Sequence, residues 1–368
     1  MSEPAPSTRH FRALDGFRGL AVVLVIISHA IVIGKLVSDH TVWGRFLHLG
    51  FVGVDMFFTL SGFLITGILL DAPKTTARYF SVFYLRRGVR IFPLYFAVLA
   101  IVYLTCAPGE DSPLWYWFFA SNIGATIKNR WLYSPVGVQL AHFWSLAVEE
   151  QFYLVWPLLV RFVNRQHLKW VCLACLVIAP ASNAWLYTHG YETASYMFTS
   201  TRLNTLGAGA LLAIIFREPE RWERWMRLAP RVFLISAAMS VFGWITPQSI
   251  LHYVWFLPTT LIFYAPFLWG SALMLTMKAG SPFQQVLSGK GWVLFGKYSY
   301  ALYVLHFLFN PWLSSVVYGK IAAFSGTDTV VSLLLYIVAT FAVSIGAALV
   351  SWNVLERPML SLKRYFYY

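Results

Sequence analysis

Charge is scarce in this chain. Only 12% of its 368 residues are Asp, Glu, Lys or Arg, against about a quarter in an ordinary soluble domain. That shortage excludes a water-soluble globule and a disordered tail alike. Acidic residues are the scarcest: 15 stand against 28 Lys and Arg, for a formal charge of +13. A nucleic-acid binder would gather such an excess on one solvated face. Here it sits in short runs between long apolar segments, so the reading is an integral membrane protein oriented by loop charge, with no nucleic-acid partner. Cysteine is nearly absent. Cys106, Cys172 and Cys175 all lie in apolar segments, so no disulfide framework follows, and the Cys172–Cys175 spacing inside a membrane helix reads as packing rather than a redox or metal site. A cleavable leader is not expected either, because the first apolar run is too long and lacks a small-residue cleavage site. The longest stretches between apolar segments, 71–90 and 107–142, are too short for a folded soluble module. No repeat of the kind found in transporter halves stands out.

What is abundant is apolar surface: 58% of the residues are hydrophobic and 18% aromatic. A membrane-spanning helix needs about 20 such residues. Ten segments approximate that standard: Leu14–Lys35, Phe46–Leu70, Ile91–Cys106, Phe143–Val163, Leu168–Tyr187, Leu203–Phe216, Val232–Ile245, His252–Met277, Trp292–Trp312 and Val330–Leu355. Leu114–Ala125 is apolar but too short, and reads as a re-entrant or interfacial piece. The expected fold is therefore an all-α polytopic bundle of about ten spanning helices, with a tail over 1–10, a membrane domain over 11–358 and a basic tail over 359–368. With the N-terminus in the cytoplasm and ten spans, all but six of the basic residues (Lys35, Arg45, Lys128, Arg130, Arg202 and Lys320) fall on the cytoplasmic side. That asymmetry is the positive-inside signature. An eleventh span would invert every later loop. Both termini are thus expected inside, and the basic runs are expected to touch anionic lipid.

Ionisable groups within spans are costly and mark function by default. On the expected topology His29, Asp55, Glu149 with Glu150, and His306 lie on four helices at a similar depth, toward the outer side of the midplane. Each also admits a bland reading: Asp55 as an interhelical hydrogen bond, His306 as packing plus one bond, and either glutamate as structural. Glu149 and Glu150 are about 100° apart on a helix, so only one can face a given pocket. Arg18 and His29 are eleven residues apart, almost three full turns, which puts them on one face about 16 Å apart along the axis. A substrate lying along that helix with an anionic head at Arg18 and a reacting carbon at His29 fits both. Coenzyme A has that shape. In the run Tyr-Leu-Arg-Arg-Gly-Val-Arg-Ile-Phe-Pro, Arg87 and Arg90 share a face, as do Arg86 and Arg90. The arginine fork suits phosphate, although a topology anchor binding anionic lipid explains the run equally.

These residues carry a resemblance. Leu-Asp-Gly-Phe-Arg-Gly-Leu-Ala leading to Ser28-His29, then Gly-Phe-Val-Gly-Val-Asp-Met-Phe-Phe-Thr-Leu-Ser-Gly-Phe-Leu-Ile, the arginine run, and Phe-Trp-Ser-Leu-Ala-Val-Glu-Glu-Gln-Phe-Tyr occur in the order found in the bacterial acyltransferase-3 membrane family. Tyr-Ala-Leu-Tyr-Val-Leu-His306 and the closing Leu-Glu-Arg-Pro are weaker matches. The resemblance covers about residues 11 to 358. It implies an O-acyltransferase that takes an acyl group, usually acetyl, from cytoplasmic acyl-CoA and passes it to a hydroxyl, often on a sugar, at or across the inner membrane. The family's Arg-x10-His pair falls on Arg18 and His29, its Arg-x-x-Arg pair on Arg87 and Arg90, and its helix-five glutamate on Glu149. Many members add an extracytoplasmic hydrolase-like domain, which is not expected here.

The expected mechanism places CoA phosphates against Arg18, Arg87 and Arg90, with the thioester extending toward His29. His29 acts as general base on the acceptor hydroxyl, and Glu149 orients the imidazole as a carboxylate does in hydrolase triads. Asp55, Glu150, Arg86 and His306 are supporting candidates. Direct transfer and an acyl-histidine route both fit, and Ser28 and Ser61 are further covalent carriers to weigh against serines bonded to their own backbone. No tightly bound cofactor or metal is expected, with acetyl-CoA a substrate. The best acceptor is a surface- or exopolysaccharide sugar, with an antibiotic or lipid hydroxyl as runner-up. A proton-coupled transporter of a small anionic solute is the competing class, separated by whether acyl-CoA is consumed. Nothing in the sequence sets the oligomeric state.

Overall fold

A computed structural model of the protein describes residues 11–34, 52–74, 77–245, 257–317 and 329–367. The expected tail over 1–10, the first residues of the second and eighth expected spans (46–51 and 252–256), and Lys35, Arg45 and Lys320 lie outside the described residues. Among the described residues every regular element is helical, and all ten expected spans fall on helices. In chain order these are α1 (Arg12–Gly34), α2 (Val52–Asp71), α3 (Tyr79–Thr105), the short α4 (Leu114–Trp117) and α5 (Ser121–Lys128), α6 (Trp144–Phe162) and α7 (Arg165–Thr188). There follow α8 (Glu192–Met197), α9 (Thr199–Ile215), α10 (Pro219–Ile245), α11 (Leu257–Met277), α12 (Pro282–Leu287), α13 (Lys290–Leu305), α14 (Asn310–Val316), α15 (Thr329–Ser351), a π turn over Trp352–Glu356, and α16 (Arg357–Ser361). Six of them (α1, α2, α3, α7, α10 and the run from α15 to Tyr365) are long and apolar enough to cross a membrane. The other four expected spans fall on α6, α9, α11 and α13, which have 19, 17, 21 and 16 residues.

Three departures from the expected boundaries have plain causes. Helix α3 begins at Tyr79, well before the apolar run at Ile91, because Tyr79–Arg87 contains no helix breaker. The arginine run therefore rides within a helix. Helix α10 likewise starts at Pro219, a residue suited to the first helical position, and its polar first half escapes an apolarity criterion. The ninth span is not one rod: α13 stops at Leu305, residues 306–309 form a turn, and α14 opens at Asn310 with Pro311 in its first turn. Proline has no amide hydrogen and crowds the carbonyl four residues back, so a helix cannot run smoothly through it. The short piece at 114–125 becomes two helices broken at Phe119, whose φ is +50°. It docks on α3 rather than spanning: Tyr95 Oη donates to the Tyr116 carbonyl at 2.7 Å, and Phe119 stacks on Tyr95.

Helices α1 and α2 form the centre, with 61% and 72% of their spanning residues buried inside the protein, against 11% for α10 at the edge. Glycine sets how closely the central rods approach. A methyl group at Gly296 of α13 would overlap the Asp15 carbonyl of α1, and one at Gly209 of α9 would overlap the Thr59 carbonyl of α2. Small residues at such crossings let backbones touch where lipid supplies no hydrophobic drive. At one end of the bundle Arg217 ties α9 to α2, with Nη2 to Asp71 Oδ2 at 2.6 Å and Nε to Oδ1 at 2.8 Å. It also bonds the Gly67 and Ala213 carbonyls, a cation satisfying the last turns of two helices. The C-terminal segment folds back on α3, where Arg86 Nε donates to the Phe366 carbonyl at 2.6 Å.

Candidate functional site

Side chains of helices α1, α2, α3, α6 and α13 line one open, mostly apolar cavity with a few polar groups, the chemical make-up of small-molecule sites. Arg18 comes from the second turn of α1, and Arg87 and Arg90 from one face of the third turn of α3. All three line the cavity. Arg18 pairs with Asp15 at 3.4 Å. Among the described residues Arg87 and Arg90 have no hydrogen-bond or ion-pair partner, and the Arg87 guanidinium lies over the Tyr153 ring at 5.0 Å. Two half-buried guanidinium groups thus turn their donors into an open space. Arg86 is exposed and off the cavity wall, and is bound to the C-terminal segment instead.

Further in, Ser61 of α2 donates to Glu149 Oε1 of α6 at 2.5 Å, and Tyr153 Oη donates to Ser61 Oγ at 3.2 Å. Glu149, Tyr153 and Ser61 all line the cavity. One turn of α6 separates Glu149 from Tyr153, so the pair shares a face. Glu150 points elsewhere, as adjacent helical residues must, and its Oε1 is buried with no hydrogen-bond partner among the described residues. At the far end Tyr303 of α13 and Ser145 of α6 join hydroxyl to hydroxyl, and Tyr303 also donates to the His142 carbonyl at 3.1 Å.

Behind that hydroxyl pair stands a cluster of three imidazoles. His29 Nδ1 and His306 Nε2 are 2.7 Å apart, their rings are nearly parallel, and Phe307 stacks on His29 with centroids 4.3 Å apart. His142 meets both rings edge-on, at 5.1 Å from His306 and 6.3 Å from His29. Separation at hydrogen-bond length leaves no room for a metal between the two nitrogens, since each Zn–N bond alone is about 2 Å. His306 and His142 are buried and His29 is half-buried. Tyr303 lies between cluster and cavity, 5.5 Å from the His142 ring and 5.9 Å from the His306 ring.

The structure therefore gathers some expected residues and separates others. Arg18, Arg87, Arg90 and Glu149 share one cavity; His29 and His306 meet beyond its Tyr303 end. His29 is not itself on the cavity wall. No hydrogen bond joins Glu149 to His29: the partner of the imidazole is His306, and that of the carboxylate is Ser61. Asp55 sits apart in an ion pair with Arg202 at 3.3 Å, both side chains 5% exposed. The Arg202 guanidinium lies 4.5 Å from the Tyr196 ring and 5.3 Å from the Trp144 ring, so this pair staples α2 to α9. His142 and Tyr303 were not singled out from the sequence. His142 lies between apolar segments, and Tyr303 reads as one more aromatic in a rich span.

The peptidoglycan O-acetyltransferase OatA of Listeria monocytogenes is 30% identical over 334 residues, covering 82% of this chain and 49% of that protein. The O-acetyltransferase OatA of Staphylococcus aureus is 27% identical over 342 residues, covering 86% of this chain and 54% of that protein. The chain thus spans about half the length of these relatives. No solved structure matches it. The family profile described as an acyltransferase domain matches residues 11–349, nearly the whole chain, and the protein therefore belongs to the acyltransferase-3 family.

Proposed function

We propose that this protein is a multi-pass O-acetyltransferase of the bacterial inner membrane that moves an acetyl group from cytoplasmic acetyl-CoA to a glycan hydroxyl. The observation that carries the reading is that Arg87 and Arg90, which have no hydrogen-bond or ion-pair partner among the described residues, line one cavity with Arg18. Such a trio suits the phosphates of a large anionic donor. The loop-charge asymmetry supports placing the arginine end and both termini in the cytoplasm. A glycan acceptor is supported by the relative whose name specifies peptidoglycan.

On this reading the CoA phosphates lie against Arg18, Arg87 and Arg90. The pantetheine arm follows α1, with its amides near the Ser61, Glu149 and Tyr153 groups, which offer both donors and acceptors. His29 is three turns beyond Arg18, about 16 Å along the axis, a span comparable to that arm. Beyond the Tyr303 end of the cavity, where His29 meets His306, the acceptor oxygen attacks the thioester carbonyl carbon while His29 takes its proton. The carbon–sulfur bond breaks, and the imidazolium returns the proton to the departing thiolate, releasing acetyl ester and CoA thiol. Glu149, bonded to Ser61, balances the cationic wall rather than orienting His29.

The test uses purified protein in detergent with acetyl-CoA and an N-acetylglucosamine tetramer. CoA thiol release and an acetyl mass increment on the sugar are expected, and both vanish in His29→Ala. Intact protein that leaves acetyl-CoA unconsumed, with and without the tetramer, refutes the proposal and favours a transporter.

A further inference from the structure

The hydrogen bonds around His306 settle where its hydrogen sits. Its Nδ1 lies 3.1 Å from the Leu302 carbonyl oxygen and 2.8 Å from that of Tyr303. Carbonyl oxygens only accept, so Nδ1 carries a hydrogen. The ring is fully buried, against His29, His142, Tyr303 and Phe307. No carboxylate touches it among the described residues, so nothing compensates a second proton there. A neutral imidazole has one hydrogen, and its Nε2 therefore offers a lone pair. That lone pair faces His29 Nδ1 at 2.7 Å, and two lone pairs at that distance repel. His29 Nδ1 must donate, which leaves its own Nε2 as the unprotonated nitrogen.

We propose that His306 is a positioning residue that fixes His29 as the Nδ1-protonated tautomer, so that the His29 Nε2 lone pair is the base facing the acceptor hydroxyl. The inference rests on the acyltransferase reading above. It assigns to a second imidazole the task that hydrolase triads give to a carboxylate. The proton taken from the acceptor lands on His29 Nε2. The Nδ1 hydrogen stays shared with His306, and the positive charge formed on His29 is stabilised by the His306 lone pair. Phe307, stacked on the His29 ring, restricts its rotation. The third imidazole is fixed in the opposite sense. His142 Nε2 lies 3.2 Å from the Val304 carbonyl, so its Nδ1, buried with no partner among the described residues, is the nitrogen without hydrogen. Backbone carbonyls of one short stretch, Leu302 to Val304, thus set the hydrogens of two rings directly and of His29 through His306.

Two measurements test this on the full chain in detergent. The first is nitrogen NMR of histidine-labelled protein, assigned by the signals lost in His29→Ala and His306→Gln; imidazole nitrogens differ sharply in shift with and without hydrogen. His29 is expected with hydrogen on Nδ1 and none on Nε2. The reverse tautomer in the parental protein overturns the proposal, whatever any variant does. The second compares His306→Gln with His306→Met, side chains of similar length of which only glutamine keeps a strong acceptor for His29 Nδ1. CoA release from acetyl-CoA is followed with water or the N-acetylglucosamine tetramer as acceptor. Glutamine is expected to retain most of kcat. Methionine is expected to lose at least about tenfold, the range seen when groups orienting a functional histidine are removed, with KM for acetyl-CoA unchanged because the arginines are untouched. Parental kcat in folded methionine variant, or equal losses in two variants that melt like the parent, each overturn it. His29→Ala at the parental rate would instead refute the base assignment, while the nitrogen shifts still report the tautomer.

Discussion

The Asp55–Arg202 pair separates a structural role from a chemical one most sharply. At 3.3 Å and an effective dielectric near 20, the direct attraction is about 5 kcal/mol, largely offset by the cost of removing both groups from water. Deleting one partner is a different matter, because it strands the other. In Asp55→Ala the buried guanidinium keeps its bond to the Tyr196 carbonyl and its two aromatic faces, but loses its counter-charge. Breaking a buried pair in this way costs about 3–5 kcal/mol. At roughly 2 °C per kcal/mol for a chain of this size, the melting point in detergent should fall by about 6–10 °C. The double variant Asp55→Leu with Arg202→Met removes both charges and should recover at least half of that loss. Tryptophan fluorescence on heating reads the melting point, and CoA release at 20 °C reads activity per folded molecule, which should stay near parental. A double variant as unstable as the two single losses combined would refute the stapling argument. So would an Asp55→Ala protein that melts normally but releases no CoA.

Replacing Arg87 and Arg90 together by alanine should raise KM for acetyl-CoA by about 10²–10⁴-fold, since bonds to charged groups contribute about 1.5–3 kcal/mol each, with kcat little changed; isothermal titration with CoA itself checks this. Gly296→Val should destabilise the bundle, because its side chain would overlap the Asp15 carbonyl; fluorescence-detected size exclusion would show aggregate in place of a sharp peak. Asp111 supplies a pH prediction. Burial pushes its carboxyl up, but Arg130, the Tyr133 amide and Lys128 outweigh that and hold it below the ordinary value. A depressed folded-state value means that this stabilisation is present above the unfolded-state value and is lost as pH falls through the folded one. The melting-point difference between parent and Asp111→Asn should therefore shrink on acidification from pH 7 to pH 3, and a constant difference would count against it.

Sequence periodicity carries what one helix can carry. Arg87 with Arg90, and Glu149 apart from Glu150, follow from 3.6 residues per turn, and the apolar runs locate the helices that can cross a bilayer, which demands length and apolarity together. Contacts between helices leave no such trace. His29 and His306 are 277 positions apart, and Asp55 and Arg202 are 147 apart. Arg202 reads from its position as an outer loop charge, yet it is buried in the first turn of α9. Glu149 occupies the expected cavity, but its companion is a serine, because α2 rather than α1 packs beside that turn of α6.

The interruption after Leu305 is more than an accident of proline. Had the rod continued, the main-chain amide of Phe307 would have claimed the Tyr303 oxygen, and the imidazole at 306 would have competed for it. Because the coil gives way there, an oxygen is left over to grip a ring. Engineers who straighten such bundles toward ideal geometry to gain robustness would, at this spot, erase the anchor on which the arrangement of hydrogens depends.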